Sequence, residues 1–285
     1  MTGLNPFEVI VLLLLAGLFL WEFRDRHFRQ SWYRHKQRLR RNLSFAAASV
    51  FVMALLKGAN ALLQGVFAPQ WLRVWFPVEL IVCFLAAEFL GWMLHFVKHR
   101  NSFLWKFHFQ HHRESQYNLW LTAHTHGLEV ILSGVVMAAA LLLLGFSLMA
   151  IEIYLAFYAL MKFFQHSAHS YSLSVLDKIF ITPAYHRLHH EVNSRCNYGI
   201  TLTLFDLLFR TLRWPAASQP ELKLGMPPES ELPYGFWKEM IHFYSSHKKQ
   251  IDSESRQHDP VRTPDSAGHI EKSAGAIEFI NAPRT

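Results

Sequence analysis

Residues Glu79–His112 have the sequence ELIVCFLAAEFLGWMLHFVKHRNSFLWKFHFQHH, in which an apolar run meets two groups of histidines. The apolar run extends over Val74–Leu94, about the length that a helix needs to cross a bilayer. His95 and His99 follow at its end, and their spacing places both imidazoles on one face of a continuing helix. The segment therefore predicts a membrane-spanning helix that presents metal-binding groups at one membrane surface.

Further apolar runs indicate that most of the chain belongs in a membrane. Hydrophobic residues make up 51% of the 285 and charged residues only 17%, which is low for a soluble domain. We predict an all-α fold, an integral membrane helical bundle of about 4–5 transmembrane or re-entrant helices with a cytoplasmic, helical, histidine-rich cap. The other apolar runs are Phe7–Trp21, Leu43–Phe67, Leu128–Gly145 and Ser147–Phe164, of which the last two predict a tight hairpin.

Basic residues are concentrated beside the first apolar run. The segment Arg24–Arg41 contains eight Lys and Arg residues against Asp25 alone, within a chain of net charge +7. This asymmetry places the segment in the cytoplasm, and counting crossings puts every histidine-rich stretch and the C-terminus on the same side. A basic block beside an apolar run fits a membrane surface and argues against nucleic-acid binding.

Two later groups of histidines have the spacing HxxHH. They are HFQHH at 108–112 and HRLHH at 186–190, and this spacing again gathers imidazoles on one helix face. His166 stands alone just after the run Ser147–Phe164. Imidazole suits iron, zinc and copper alike, so the pattern predicts a metal site for two ions without choosing the metal.

The boxes HFVKH at 95–99, HFQHH and HRLHH, followed by NYG at 197–199, resemble those of the fatty acid hydroxylase / sterol desaturase superfamily. The similarity extends over Glu88–Thr211 and includes the pair His126–Glu129. The sequence departs from the family pattern at Phe96, at His124 and at Phe209–Thr211. These departures leave the substrate subfamily open.

The resemblance implies a set of histidine ligands for two iron ions (Fe2+), with O2 as co-substrate. The implied ligands are His95, His99, His108, His111, His112, His166, His186, His189 and His190, and further candidates are His126 and His169. Ligand imidazoles normally donate their second N–H to a carboxylate or a carbonyl. The candidates for this role are Glu88, Glu129, Glu191, Asn197 and Asp206.

The function implied by the resemblance is O2-dependent hydroxylation of a lipid (fatty acyl, sterol or related) in lipid biosynthesis. Breaking an unactivated C–H bond requires an oxidant that no side chain can supply, which fits a metal centre. This sequence contains no C-x-x-C-H, no iron–sulfur cysteine set and no GxGxxG. We therefore expect electrons from a separate donor protein of cytochrome or ferredoxin type.

Two other functions remain open. A sterol or lipid desaturase of the same family would use the same boxes. A divalent-metal transporter, or another metal-binding membrane protein, would place its ligands near the middle of broken spans. The histidines here stand at the ends of apolar runs, which favours the enzyme.

Composition and the family resemblance together divide the chain into four predicted segments. Residues 1–42 are an N-terminal anchor and basic linker, and residues 43–213 are the membrane catalytic domain of the fatty acid hydroxylase type. Residues 214–244 mix aromatic and charged side chains, which is typical of an interfacial segment. Residues 245–285 are polar and predicted to be disordered.

Overall fold

The computed structural model describes residues 6–24, 74–169, 175–215 and 222–226, with scattered positions between 40 and 62 and residue 237. Within these residues the fold is helical and has no strand, which confirms the predicted all-α class. Isolated antiparallel bridges join Phe180 to Leu202 and Glu191 to Leu224. The helices are α1 (Pro6–Glu22), α2 (Phe76–Arg100), α3 (Ser102–His112), α4 (Gly127–Leu143), α5 (Leu148–Gln165), α6 (Pro183–His189) and α7 (Leu204–Leu208), with 3-10 turns at Leu119–Ala123 and Leu176–Lys178.

Two helices, α2 and α5, are long and apolar enough to cross a membrane. Two shorter apolar helices accompany them, at Val9–Glu22 and Gly127–Leu143. Four of the five predicted apolar runs thus correspond to helices. The fifth, Leu43–Phe67, lies largely outside the described residues, as do most of the basic linker and the whole of residues 245–285.

Helices α4 and α5 form the predicted hairpin. The chain turns at Gly145, whose φ of 87° is readily adopted only by a residue without a Cβ. Ser147 then begins α5, because its hydroxyl accepts a hydrogen bond from the Ala150 amide at 3.3 Å. The Ser147 amide donates to Glu79 on α2 at 2.6 Å, which ties the turn to the neighbouring helix.

The core lies where α2 packs against the hairpin. Its buried residues are Cys83, Ala87, Leu141, Phe146, Ala150, Ile151 and Tyr154. The outer faces of α2 and α4 instead expose apolar side chains, among them Ile81, Val82 and Leu85 on α2 and Ile131 and Val135 on α4. Helices that are apolar both inside and outside fit a lipid environment.

Asn101 brings two of the histidine boxes together. It ends α2, and its side chain accepts hydrogen bonds from the amides of Phe103 and Leu104 at 2.9 and 3.0 Å, which begins α3. The loop 197–202 docks on α2 from the other side, where Glu88 accepts hydrogen bonds from the amides of Thr201 and Leu202. Helix α6 also packs against α5, so the ends of α2 and α5 meet α3 and α6 in one place.

Candidate metal centre

Nine histidines from four helices and their ends converge into two groups. Within each group the candidate ligand atoms all lie within 4.8 Å of one another. The first histidine group is His95, His99, His108, His112 and His189, and the second histidine group is His111, His166, His186 and His190. These nine are the histidines that the family resemblance implied as ligands.

Each HxxHH box contributes to both groups. In α3 the outer pair of the box, four residues apart, shares a helix face and enters the first group, while His111 enters the second. In α6 the arrangement is reversed, and only His189 enters the first group. Two adjacent sites therefore share the same two short helices.

Backbone carbonyls orient three of the rings through Nδ1. The acceptors are Tyr198 for His95, Cys196 for His189 and Lys162 for His166, at 3.0, 2.8 and 2.7 Å. A carbonyl oxygen only accepts, so Nδ1 carries the proton and Nε2 of each neutral ring presents a lone pair. Neutral imidazole with its lone pair directed inward is the form that binds a metal ion.

Glu129 orients a fourth ring. Its Oε1 accepts from His108 Nδ1 at 2.8 Å and also lies 2.8 Å from Lys98 Nζ. Glu129 was one of the sequence-based candidates for this role, and it contacts the candidate ligand His108. Lys98, which follows His95 by three residues, is a partner that sequence reasoning missed.

Several of the lone pairs face each other. Nε2 of His95 lies 3.1 Å from Nε2 of His108, although Nδ1 of each ring is the donor elsewhere. Protonation does not relieve this arrangement, because burial lowers the pKa of His108 below its usual value. A cation between the rings does relieve it. The donor set therefore fits metal ions.

Two other candidates for orienting the rings, Asp206 and Asn197, hold the loop that carries the Cys196 and Tyr198 carbonyls in place. Asp206 accepts hydrogen bonds from the amides of Tyr198 and Gly199 at 2.8 and 2.7 Å, and from the Trp92 indole at 3.0 Å. Asn197, which has a φ of 59°, donates to the carbonyl of Tyr185 at 3.1 Å. Both residues thus act on the candidate ligands through the backbone.

Glu88 and Glu191 were also candidates for hydrogen bonding to a ligand ring, but the structure shows them with other partners. Glu88 accepts from the Thr201 and Tyr154 hydroxyls at 2.7 and 3.1 Å, so it fixes the loop rather than a ring. Glu191 pairs with Arg213 near the surface. The sequence alone could not show that Glu129, rather than Glu88 or Glu191, contacts a histidine ring, because each carboxylate's partner is distant in sequence.

His126 and His169 lie outside both groups. The His126 ring nitrogen accepts a hydrogen bond from the Leu128 amide at 3.2 Å, so this residue begins α4. The His169 ring stacks on Trp21 with centroids 5.7 Å apart. His124 packs edge-on against Phe45. The structure therefore does not bring these residues to the two groups.

A cavity of about 190 Å³ lies between α2, α4 and α5 and reaches the histidines. Five members of the two groups line it: His95, His108, His111, His166 and His186. Apolar side chains, including Leu94, Val130, Met137 and Leu155, line the part between the apolar helices α2, α4 and α5. The two groups are thus accessible from a largely apolar space.

Residues 80–211 match the family profile described as fatty acid hydroxylase. This segment belongs to the fatty acid hydroxylase superfamily. It contains all nine histidines of the two groups, so the sequence-based recognition of the family is confirmed.

Curated relatives of this chain include two alkylglycerol monooxygenases and a lipid hydroxylase. The human alkylglycerol monooxygenase is 30% identical over 131 residues, which cover 45% of this chain and 29% of the relative. The Xenopus tropicalis protein of that name is 27% identical over 195 residues, covering 64% and 43%. The ornithine lipid hydroxylase OlsE of Rhizobium tropici is 30% identical over 142 residues, covering 48% and 42%.

The chain spans less than half the length of each of these relatives. No solved structure matches it.

Proposed function

We propose that this protein is a membrane-bound, O2-dependent lipid hydroxylase with two iron ions, one in each histidine group. The single observation that carries the proposal is the pair of adjacent histidine groups lining an apolar cavity between membrane helices. The family match and the lipid hydroxylases among the relatives support the same reaction class.

The number of donors in the first group favours iron over zinc. The first group offers five imidazole nitrogens, whereas structural zinc sites almost always take four ligands in a tetrahedron. Imidazole suits iron, and the donors in both groups are nitrogen without thiolate or carboxylate. When bound, iron with O2 supplies the oxidant that breaks an unactivated C–H bond.

The protein's own residues would hold and orient this centre and admit the lipid. The carbonyls of Tyr198, Cys196 and Lys162 and the carboxylate of Glu129 fix four of the nine rings, so these four need not reorient during the reaction. The apolar lining favours an alkyl chain over water. A lipid can reach this space sideways from the bilayer, which fits helices whose outer faces are apolar.

The proposal includes three features that come from the sequence. Electrons arrive from a separate cytochrome- or ferredoxin-type donor. The histidine groups and the C-terminus face the cytoplasm. The catalytic domain is 43–213, preceded by the anchor and linker 1–42 and followed by the interfacial segment 214–244 and the tail 245–285.

Mass spectrometry of the lipid product tests the proposal. Purified, iron-loaded protein in lipid nanodiscs would be given a chemical reductant and 18O2. We expect a product heavier by one 18O atom, since hydroxylation retains oxygen from O2. A product lighter by two hydrogens would identify a desaturase instead. Metal uptake by proteoliposomes without lipid oxidation would identify a transporter.

A further inference from the structure

Three charged side chains line the cavity beside the histidine groups: Lys98, Glu129 and Lys162. Lys98 pairs with Glu129 Oε1, and the same oxygen accepts from His108. The Lys162 ammonium makes no hydrogen bond or ion pair with any residue in the part of the chain that the structure describes. One carboxylate facing two ammonium groups leaves the cavity with an excess positive charge.

An excess charge that is buried between membrane helices, away from water, is unfavourable unless a partner of opposite charge is present. The nine histidine donors are neutral and contribute no negative charge. Metal ions in the two groups, as proposed above, would raise the positive charge further. The cavity is therefore electrostatically suited to an anionic group of a ligand.

The cavity lining is polar at the histidine end and becomes apolar with distance from the histidines. Lys162 lies four residues before His166 on α5, near the histidine end, where Thr125 and Gln165 also line the cavity. Leu155 lies seven residues earlier on α5, about 10 Å away along the helix axis, in the apolar part with Met137. An amphipathic molecule would place its polar end toward the histidines and its chain toward the membrane.

We propose that Lys162 binds the anionic group, a carboxylate or a phosphate, of the lipid substrate. The lipid chain extends along α4 and α5, past Met137 and Leu155. Lys162 and His166 line the same cavity and lie about one helical turn apart, so we place the anionic group beside the second histidine group. The carbon that reaches the metal centre is therefore within a few bonds of the headgroup. This inference rests on the proposed function and specifies its substrate class.

Equilibrium binding to full-length, iron-loaded protein in zwitterionic nanodiscs tests the inference without turnover. The probes are palmitate, palmitoyl lysophosphatidate and the neutral 1-palmitoylglycerol, with inorganic phosphate as the chain-free anion. We expect each anionic lipid to bind about tenfold or more tightly than the neutral lipid, the range for a charge-assisted hydrogen bond. Lys162→Met should remove the preference, and Lys162→Arg should retain it.

The matched control is Lys178→Met, which removes the same charge from an exposed position outside the cavity. It should leave the preference unchanged. The Lys162 carbonyl, which accepts from His166, stays in place in both Lys162 variants, so their iron content should equal the wild type. Equal iron content separates loss of an anion site from loss of the fold.

Three results would overturn the inference. The first is wild-type protein that binds neutral and anionic lipids equally, and the second is a preference that survives Lys162→Met. The third is phosphate binding as tightly as the lysophosphatidate, which would make this a site for a free anion. If an anion preference is absent while 18O enters a lipid, only this inference fails. If the preference is present and no lipid is oxidised, the proposed function fails instead.

Discussion

Glu129 is the carboxylate that contacts a candidate ligand directly, and its removal should weaken the first metal site selectively. The change is Glu129→Gln, which keeps the size of the side chain and removes its charge. Glu129 Oε1 accepts from His108 at 2.8 Å and pairs with Lys98 at the same distance. An amide oxygen is a weaker acceptor, so His108 becomes a weaker and less well oriented ligand.

The expected loss is about 10- to 100-fold in metal affinity, the usual effect of changing a group that orients a ligand. This corresponds to about 1.4 to 2.8 kcal/mol. Because His108 belongs to the first group, one of the two ions should be affected and the other retained. Competition with a chelator of known affinity, followed by iron analysis, measures both the affinity and the number of ions that remain.

Glu152→Gln is the matched control, since this carboxylate lies on α5 but does not line the cavity. It should leave both metal affinities at the wild-type value. Wild-type affinity in Glu129→Gln would refute the argument that Glu129 prepares His108 for metal binding. Equal loss of both ions would refute the division of the histidines into two sites.

Three further predictions concern the ligands, the supporting loop and pH. His190→Ala should abolish lipid oxidation and lower iron content, whereas His169→Ala should retain both; equal losses would contradict the ligand set. Asp206→Asn should lower the free energy of unfolding by about 2–4 kcal/mol, because an amide donor would face the Tyr198 amide and other donors; an unchanged thermal melt would contradict this. Burial lowers the pKa of His189 to about 3, while the unfolded chain takes up the proton near 6.5. Stability should therefore be fully present above about pH 6.5 and fall as pH drops toward 3, and a melting temperature constant over this range would contradict the histidine assignment.

The two HxxHH boxes could be recognised as candidate ligands because of their helical spacing, whereas His166 and the full set of nine candidates came from the family resemblance. Residues three and four apart in HFQHH and HRLHH share a helix face whatever the rest of the fold does. The division of each box between two groups was not predicted. This division depends on how α3 and α6 face each other in the tertiary structure, which the sequence pattern of each box does not specify.

The groups that orient the rings were only partly predictable. Glu129 was a candidate because carboxylates commonly take this role. The carbonyls of Tyr198, Cys196 and Lys162 have no sequence signature, since every residue has a carbonyl. Glu88 was a candidate on the same grounds as Glu129, and it instead holds the loop at Thr201.

Metal analysis of active protein tests the central claim most directly. The protein would be purified from iron-supplemented cells, and iron, zinc and copper would be measured against protein concentration in fractions of differing lipid-oxidising activity. We expect activity proportional to iron, approaching two iron ions per chain in the most active fraction, one for each histidine group. Full activity with one iron ion or none, or activity that follows zinc or copper, would contradict it.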